Sequence, residues 1–155
     1  MNYLRKMEWI HLEQVERKTN KKNRFDFLHI LIPIAFGGII YYLISPDVIF
    51  VKIMDSLLKF NIHITEMNMD SLTLRFIRNY FLDMLWGYAL VFSLFFINDN
   101  NTARIKGILV IAFGFSTIIE ILQVTPIMKG TFDIYDIIVE LLAEVIAVFI
   151  IKNIY

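Results

Sequence analysis

The chain has 155 residues, of which 57% are apolar and 15% aromatic. Charged residues make up 19%, below the roughly 25% of ordinary globular chains, and fifteen basic side chains balance fifteen acidic ones. Disorder is excluded because it needs low hydrophobicity, no nucleic-acid partner is expected without a net basic field, and zero cysteines exclude disulfides, cysteine zinc sites and a cysteine nucleophile. The class that fits is a small integral membrane protein.

The balance of charge is uneven along the chain. Residues 1–26 hold seven basic side chains: Arg5, Lys6, Arg17, Lys18, Lys21, Lys22 and Arg24. A cleavable signal needs a short basic start followed directly by an apolar run, and this mixed-charge start does not read as one. Leu4, Met7, Ile10 and Val15 fall on one side of a helix. The segment is expected to be cytosolic, either lying on an anionic membrane surface or standing as a solvated tail.

The first apolar stretch, Phe27 to Ile44, holds no Asp, Glu, Lys or Arg and ends at Ser45-Pro46-Asp47. Next comes a segment from Val48 to Phe60 with Lys52, Asp55, Ser56 and Lys59 on one face and Val51, Met54, Leu57 and Leu58 on the other. That pattern suits an amphipathic helix in the membrane interface. Residues 61–70 read as irregular, and the lone His63 there as solvated.

Three more apolar stretches follow. One runs from Asn79 to Ile97 with Asp83 as its only charge and stops at Asn98-Asp99-Asn100-Asn101. The next, Gly107 to Met128, contains only Glu120 as a charge. The last, Asp133 to Ile151, carries Asp133, Asp136, Glu140 and Glu144. A membrane helix needs roughly 20 apolar residues, so the last can cross only with its acids sheltered from lipid. The expected fold is all-α: a small polytopic helical bundle of about four transmembrane helices plus the interfacial helix. Its expected organisation is a charged segment over residues 1–26 and a transmembrane domain over 27–155.

Basic residues set the orientation. With the N-terminus cytosolic and four spans, ten basic residues fall inside and five outside, namely Lys52, Lys59, Arg75, Arg78 and Lys129. Both termini are therefore expected in the cytosol. In this topology Asn79 and Asp83, Glu120 and Gln123, and Asp133, Asp136 and Glu140 all lie toward the outer face. At ~1.5 Å per residue, Asp83 sits ~6 Å and Glu120 and Glu140 ~10 Å below their boundaries.

Helical phase agrees. Asn79 and Asp83 are four apart, Glu120 and Gln123 three apart, and Asp136, Glu140 and Glu144 form an i, i+4, i+8 stripe, so each set shares one face. An ionised carboxylate at mid-membrane costs roughly 2.5–3.5 kcal/mol on insertion scales. These groups are therefore expected to face the bundle interior or an outward water-filled cleft, with Arg78, Arg75 or Lys129 as counter-charges. The alternative is that they only bond helices to one another, which is the expectation for Glu144. Phe92, Phe95, Phe96, Phe113 and Phe115 read as packing or lipid-facing. Gly37, Gly38, Gly87 and Gly114 read as points of close helix approach, and Trp86 as packed.

The stretch Ser116-Thr-Ile-Ile-Glu120-Ile-Leu-Gln123, followed by Gly130-Thr-Phe-Asp133-Ile-Tyr-Asp136, resembles the VanZ-like family of bacterial membrane proteins. Arg78-Asn79-Tyr-Phe-Leu-Asp83-Met-Leu-Trp-Gly87 is similar to that family's preceding helix. The resemblance covers about residues 76–151. It departs where Gly130 stands for a frequent arginine, Glu140 for a frequent asparagine and Ala143 for a frequent glycine. The resemblance implies a bacterial cytoplasmic-membrane location, a role at the cell envelope and an effect on teicoplanin susceptibility. It also implies that Asn79, Glu120, Gln123, Asp133 and Asp136 share one polar site.

The candidate ligand site is therefore Arg78, Asn79, Asp83, Glu120, Gln123, Asp133, Asp136 and Glu140. Three functions remain open. One is a non-enzymatic envelope protein binding a lipid-linked or surface ligand. The second is an intramembrane enzyme with Glu120 as general base, where Asp133 and Asp136 hold a hard divalent cation. The third is a proton-coupled transporter, for which four spans are few unless a second copy joins. No cofactor is expected, and the absence of histidine from the cluster argues against zinc. The expected partners are the lipid bilayer, a lipid-linked envelope ligand and, left open, another copy of the chain.

Overall fold

The computed structural model describes residues 3–44, 49–58, 76–125 and 133–155, with the side chains of residues 3–21 other than Glu13, and those of Ile44, Ile49, Phe50, Leu58, Arg78 and Asn79, outside the described set. Among these residues the chain is all helical. Helix α1 spans Tyr3–Ile44, α2 Ile49–Leu58, α3 Leu82–Ile97, α4 Ile105–Gln123 and α5 Ile134–Ile154. A π-helical turn, Ile77–Phe81, leads directly into α3, and a 3₁₀ turn, Thr102–Arg104, leads into α4.

Helix α1 runs without a break across the boundary expected at residue 26. At 42 residues it is ~63 Å long. Pro33 lies inside it and lacks an N–H, so the His29 carbonyl has no i+4 donor. Helix α3 ends where Asp99 and Asn100 enter the left-handed region at φ 55° and 56°, a conformation that Asp and Asn tolerate better than most residues. The Asn100 N–H then donates to the Phe95 carbonyl at 3.1 Å. Asn101 accepts from the Ala103 N–H at 3.0 Å, and Arg104 donates to Asn98 at 2.9 Å. The third apolar stretch is shorter as a helix than the expected run to Met128. It closes at Gln123, and Val124 and Thr125 donate back to Ile121 and Leu122.

The contacts fix the direction of each helix. Tyr80 meets Asp133, and Gly87 meets Glu140. The sequence separation is 53 in both pairs, so α3 and α5 run parallel, and theirs is the most extensive interface. Helix α1 is antiparallel to α3, since Phe36 lies on Phe81, His29 on Phe92 and Asn23 on Asn100. Tyr155 reaches back to Asp26, so the C-terminus and the lower part of α1 lie at the same end of the bundle.

That end holds the apolar core: Val91, Phe92 and Phe95 of α3, Ile105, Ile108 and Ala112 of α4, and Ala147, Val148 and Ile151 of α5. The opposite end holds Asp83, Glu120, Asp133, Asp136 and Glu140. Apolar side chains also cover the outside, among them Ile32, Ile39, Val110, Ile118, Leu142 and Phe149, each at least 53% exposed.

Among the described residues, two helical segments, Lys22–Leu43 and Thr102–Gln123, are long and apolar enough to cross a membrane. Helix α3 is apolar but shorter, at sixteen residues. Helix α5 has 21 residues and carries three acids within its first eleven.

Candidate functional site

Three helices build the site. Asp83 enters on the first turn of α3, just after the π-helical turn. Such turns widen a helix and recur at functional sites. Glu120 and Gln123 lie on the last turn of α4, while Asp136 and Glu140 lie on the first two turns of α5.

Gly87 lets α3 and α5 close on each other. A Cβ built there would lie 3.2 Å from the Glu140 carbonyl oxygen and 3.4 Å from its Cα. Of the other glycines expected to mark close approach, only Gly37 has a neighbour, the Leu85 side chain at 3.6 Å. Gly38 and Gly114 face open space. The helix pairs meet elsewhere, so those two glycines are not contact points.

The acids converge. Asp83 lies within electrostatic reach of Asp136, Glu140 and Glu120. Asp136 is in reach of Glu120 and Asp133, and Glu140 of Glu120, Glu144 and Asp136. Gln123 donates to Glu120 Oε1 at 2.8 Å. Ser116 donates to Glu144 Oε1 at 3.1 Å. One oxygen each of Glu120, Asp136, Glu140 and Glu144 is buried without a hydrogen-bond partner. Glu120 is only 5% exposed and Glu144 fully buried.

Asp133 is set apart by its work for the backbone. Its carboxylate accepts from the Tyr135 N–H at 2.9 Å, which caps α5, and from the Tyr80 hydroxyl at 3.4 Å. The backbone of Arg78 and Asn79 lies in the π-helical turn. Their side chains, together with Arg75, His63 and Lys129, lie outside the described residues.

A cavity of about 370 Å³ opens beside the cluster. Asp83, Ser93, Ser116, Glu120, Gln123 and Glu140 are its polar lining, and Ile34, Trp86, Ala89, Leu90, Phe115 and Ile119 line most of the rest. Trp86 corrects the expectation that it packs: it is 55% exposed. It precedes Gly87, which faces α5, and the ~100° turn per residue swings it to the outer rim, across from Phe115.

Sequence reading missed a second polar group, at the opposite end. Asp26, expected in a segment that lies on the membrane surface or stands in solvent, is fully buried. It accepts from the Tyr155 hydroxyl at 2.5 Å, and Lys22 lies 4.2 Å above the Tyr155 ring. Burial and the neighbouring Asp26 carboxylate push the Tyr155 phenol up from its ordinary value. Nearby, His29 Nδ1 and the Tyr88 hydroxyl are 2.5 Å apart. Nothing in the spacing of these residues signals the group, because Lys22, Asp26 and His29 meet Tyr88 and Tyr155 from distant parts of the chain.

Among the described residues, no three His, Asp or Glu side chains are grouped so as to hold a metal ion. Compared with known proteins, the chain matches no family model, no curated protein and no solved structure.

Proposed function

We propose that the chain is a four-span bacterial membrane protein of the cell envelope that binds a lipid-linked or surface ligand in an intramembrane cleft. Helices α1, α3, α4 and α5 cross the bilayer, α2 lies in the interface and both termini are cytosolic. Several observations support the span count. Only 17% of the apolar window in α1 and 28% of that in α4 is buried, whereas the core helix of a soluble protein is mostly buried. The π-helical turn extends α3 to twenty-one helical residues. The acids that make α5 too polar for lipid turn toward α3 and α4 rather than outward. Exposed apolar area on this scale belongs against lipid.

The observation that carries the binding reading is the cavity, where carboxylates from three helices meet beside apolar walls. Few, convergent polar groups in a mainly apolar cleft are the usual make-up of a ligand site. The resemblance to the VanZ-like family adds the envelope role and the link to glycopeptide and lipoglycopeptide susceptibility.

Susceptibility in a strain lacking the gene, complemented with variants at matched expression, tests this. Glu120→Gln and Glu140→Gln keep size and hydrogen-bonding capacity but remove charge, and each is expected to abolish complementation while the protein still inserts. Full complementation by both would defeat the site. Reporters fused after Tyr155 test the topology, and activity of an extracytoplasmic reporter there would overturn it.

A further inference from the structure

The chemistry of the cavity narrows its ligand, an inference that rests on the binding reading above. The polar end offers acceptors. Glu120 is 95% buried, lines the cavity and leaves Oε2 without a partner, as Glu140 does with its own Oε2. The described side-chain donors there are largely engaged: Ser116 donates to Glu144, Ser93 to the Ala89 carbonyl, and Gln123 gives one of its two N–H groups to Glu120. Asp83 adds a third carboxylate within reach of both. A buried acceptor without a donor costs ~1–3 kcal/mol, more if charged, so the complementary group carries N–H donors and positive charge. A phosphate would instead bring negative charge into a group of carboxylates.

The rest of the lining is mainly apolar. Ile34, Trp86 and Phe115 on its rim are each more than a third exposed, on the surface that faces lipid in the four-span arrangement. Trp86 also offers a ring face to a cation. At about 370 Å³ the cavity is near the lower end of ligand pockets, ~300–1,000 Å³, which suits a head group and the first carbons of a chain.

We infer that the cavity binds the protonated amine of a single-chain amphiphile, reached laterally from the bilayer past Trp86 and Phe115. The ammonium bonds Glu120 and Glu140, the alkyl chain lies along Trp86 and Ile34, and the tail remains in lipid. A phosphate on the same ligand stays outside the cavity.

The test uses the full chain with Trp9→Phe, which leaves Trp86 as the single tryptophan, in phosphatidylcholine nanodiscs. Trp86 emission is followed during titration with dodecylammonium, dodecyl phosphate and dodecyl maltoside, which share one tail. The expected result is a saturable change with dodecylammonium alone. In Glu120→Gln and Glu140→Gln it should be roughly tenfold or more weaker, as the loss of a charge-assisted bond implies. Dodecylammonium binding that is unaltered in both variants overturns the inference, and so does saturable binding of dodecyl phosphate. Saturable maltoside binding lost in Glu120→Gln also overturns the amine assignment, but leaves the proposed function standing. No saturable binding by any probe overturns the inference, and unaltered susceptibility of the variants separately overturns the proposed function. Comparing the three probes on the unsubstituted site keeps the test decisive if a variant fails to fold.

Discussion

Replacing Gly87 by alanine probes the contact that aligns two of the three site helices. The added Cβ would lie 3.2 Å from the Glu140 carbonyl oxygen and 3.4 Å from its Cα. Both are backbone atoms, so no side chain can swing aside. Helix α5 must move by a few tenths of an ångström along the most extensive interface of the bundle. Overpacking of this kind costs ~1–3 kcal/mol, against a gain of ~0.5–1 kcal/mol for removing glycine from a helix. The expected net effect is a loss of up to ~2.5 kcal/mol, and Gly87→Val should lose more. Gly114→Ala and Gly38→Ala meet no atom within 4 Å and should be neutral or gain ~0.5–1 kcal/mol. Thermal unfolding of the purified proteins in one detergent reads the order, with ~2–4 °C per kcal/mol for a chain of this size. Gly87→Ala as stable as Gly114→Ala, or Gly87→Val as stable as the parent, would refute the close α3–α5 approach and with it the alignment of Asp83 with Glu140.

Phe92, fully buried and stacked on His29 at a centroid distance of 4.6 Å, should lose ~3–5 kcal/mol on truncation to alanine, read by the same melting assay. Tyr155→Phe removes the donor to buried Asp26 and should cost ~1–3 kcal/mol; unchanged stability would show that Asp26 finds another partner. Asp133→Ala should lose ~0.5–2 kcal/mol through the α5 cap, while Asp133→Asn keeps most of it. Equal stability of those two variants would remove the capping role.

How far the site was legible depends on the helix in question. The i, i+4, i+8 stripe of Asp136, Glu140 and Glu144 and the i, i+3 pair Glu120 and Gln123 share a face because 3.6 residues complete a turn. The acids of α3, α4 and α5 do come within electrostatic reach of one another. Asp133 was readable as part of the polar group but not as the cap of α5, since capping depends on where the helix starts. Trp86 misled because hydropathy does not say which side of a helix faces a neighbour. Gly38 and Gly114 misled similarly, because a glycine permits close approach without requiring it.

The sequence by itself determined that the chain is helical and which polar residues share a helix face. Both follow from local apolar runs, the Asn98–Asn101 stop and the 3.6-residue period, none of which needs a partner helix. Only the tertiary structure decided that α3 and α5 pair in parallel through Gly87, that Asp26 is buried under Tyr155 from the other end of the chain, and that a cavity lies between Glu120 and Trp86. Each depends on contacts between residues dozens of positions apart, where packing rather than periodicity selects the partner.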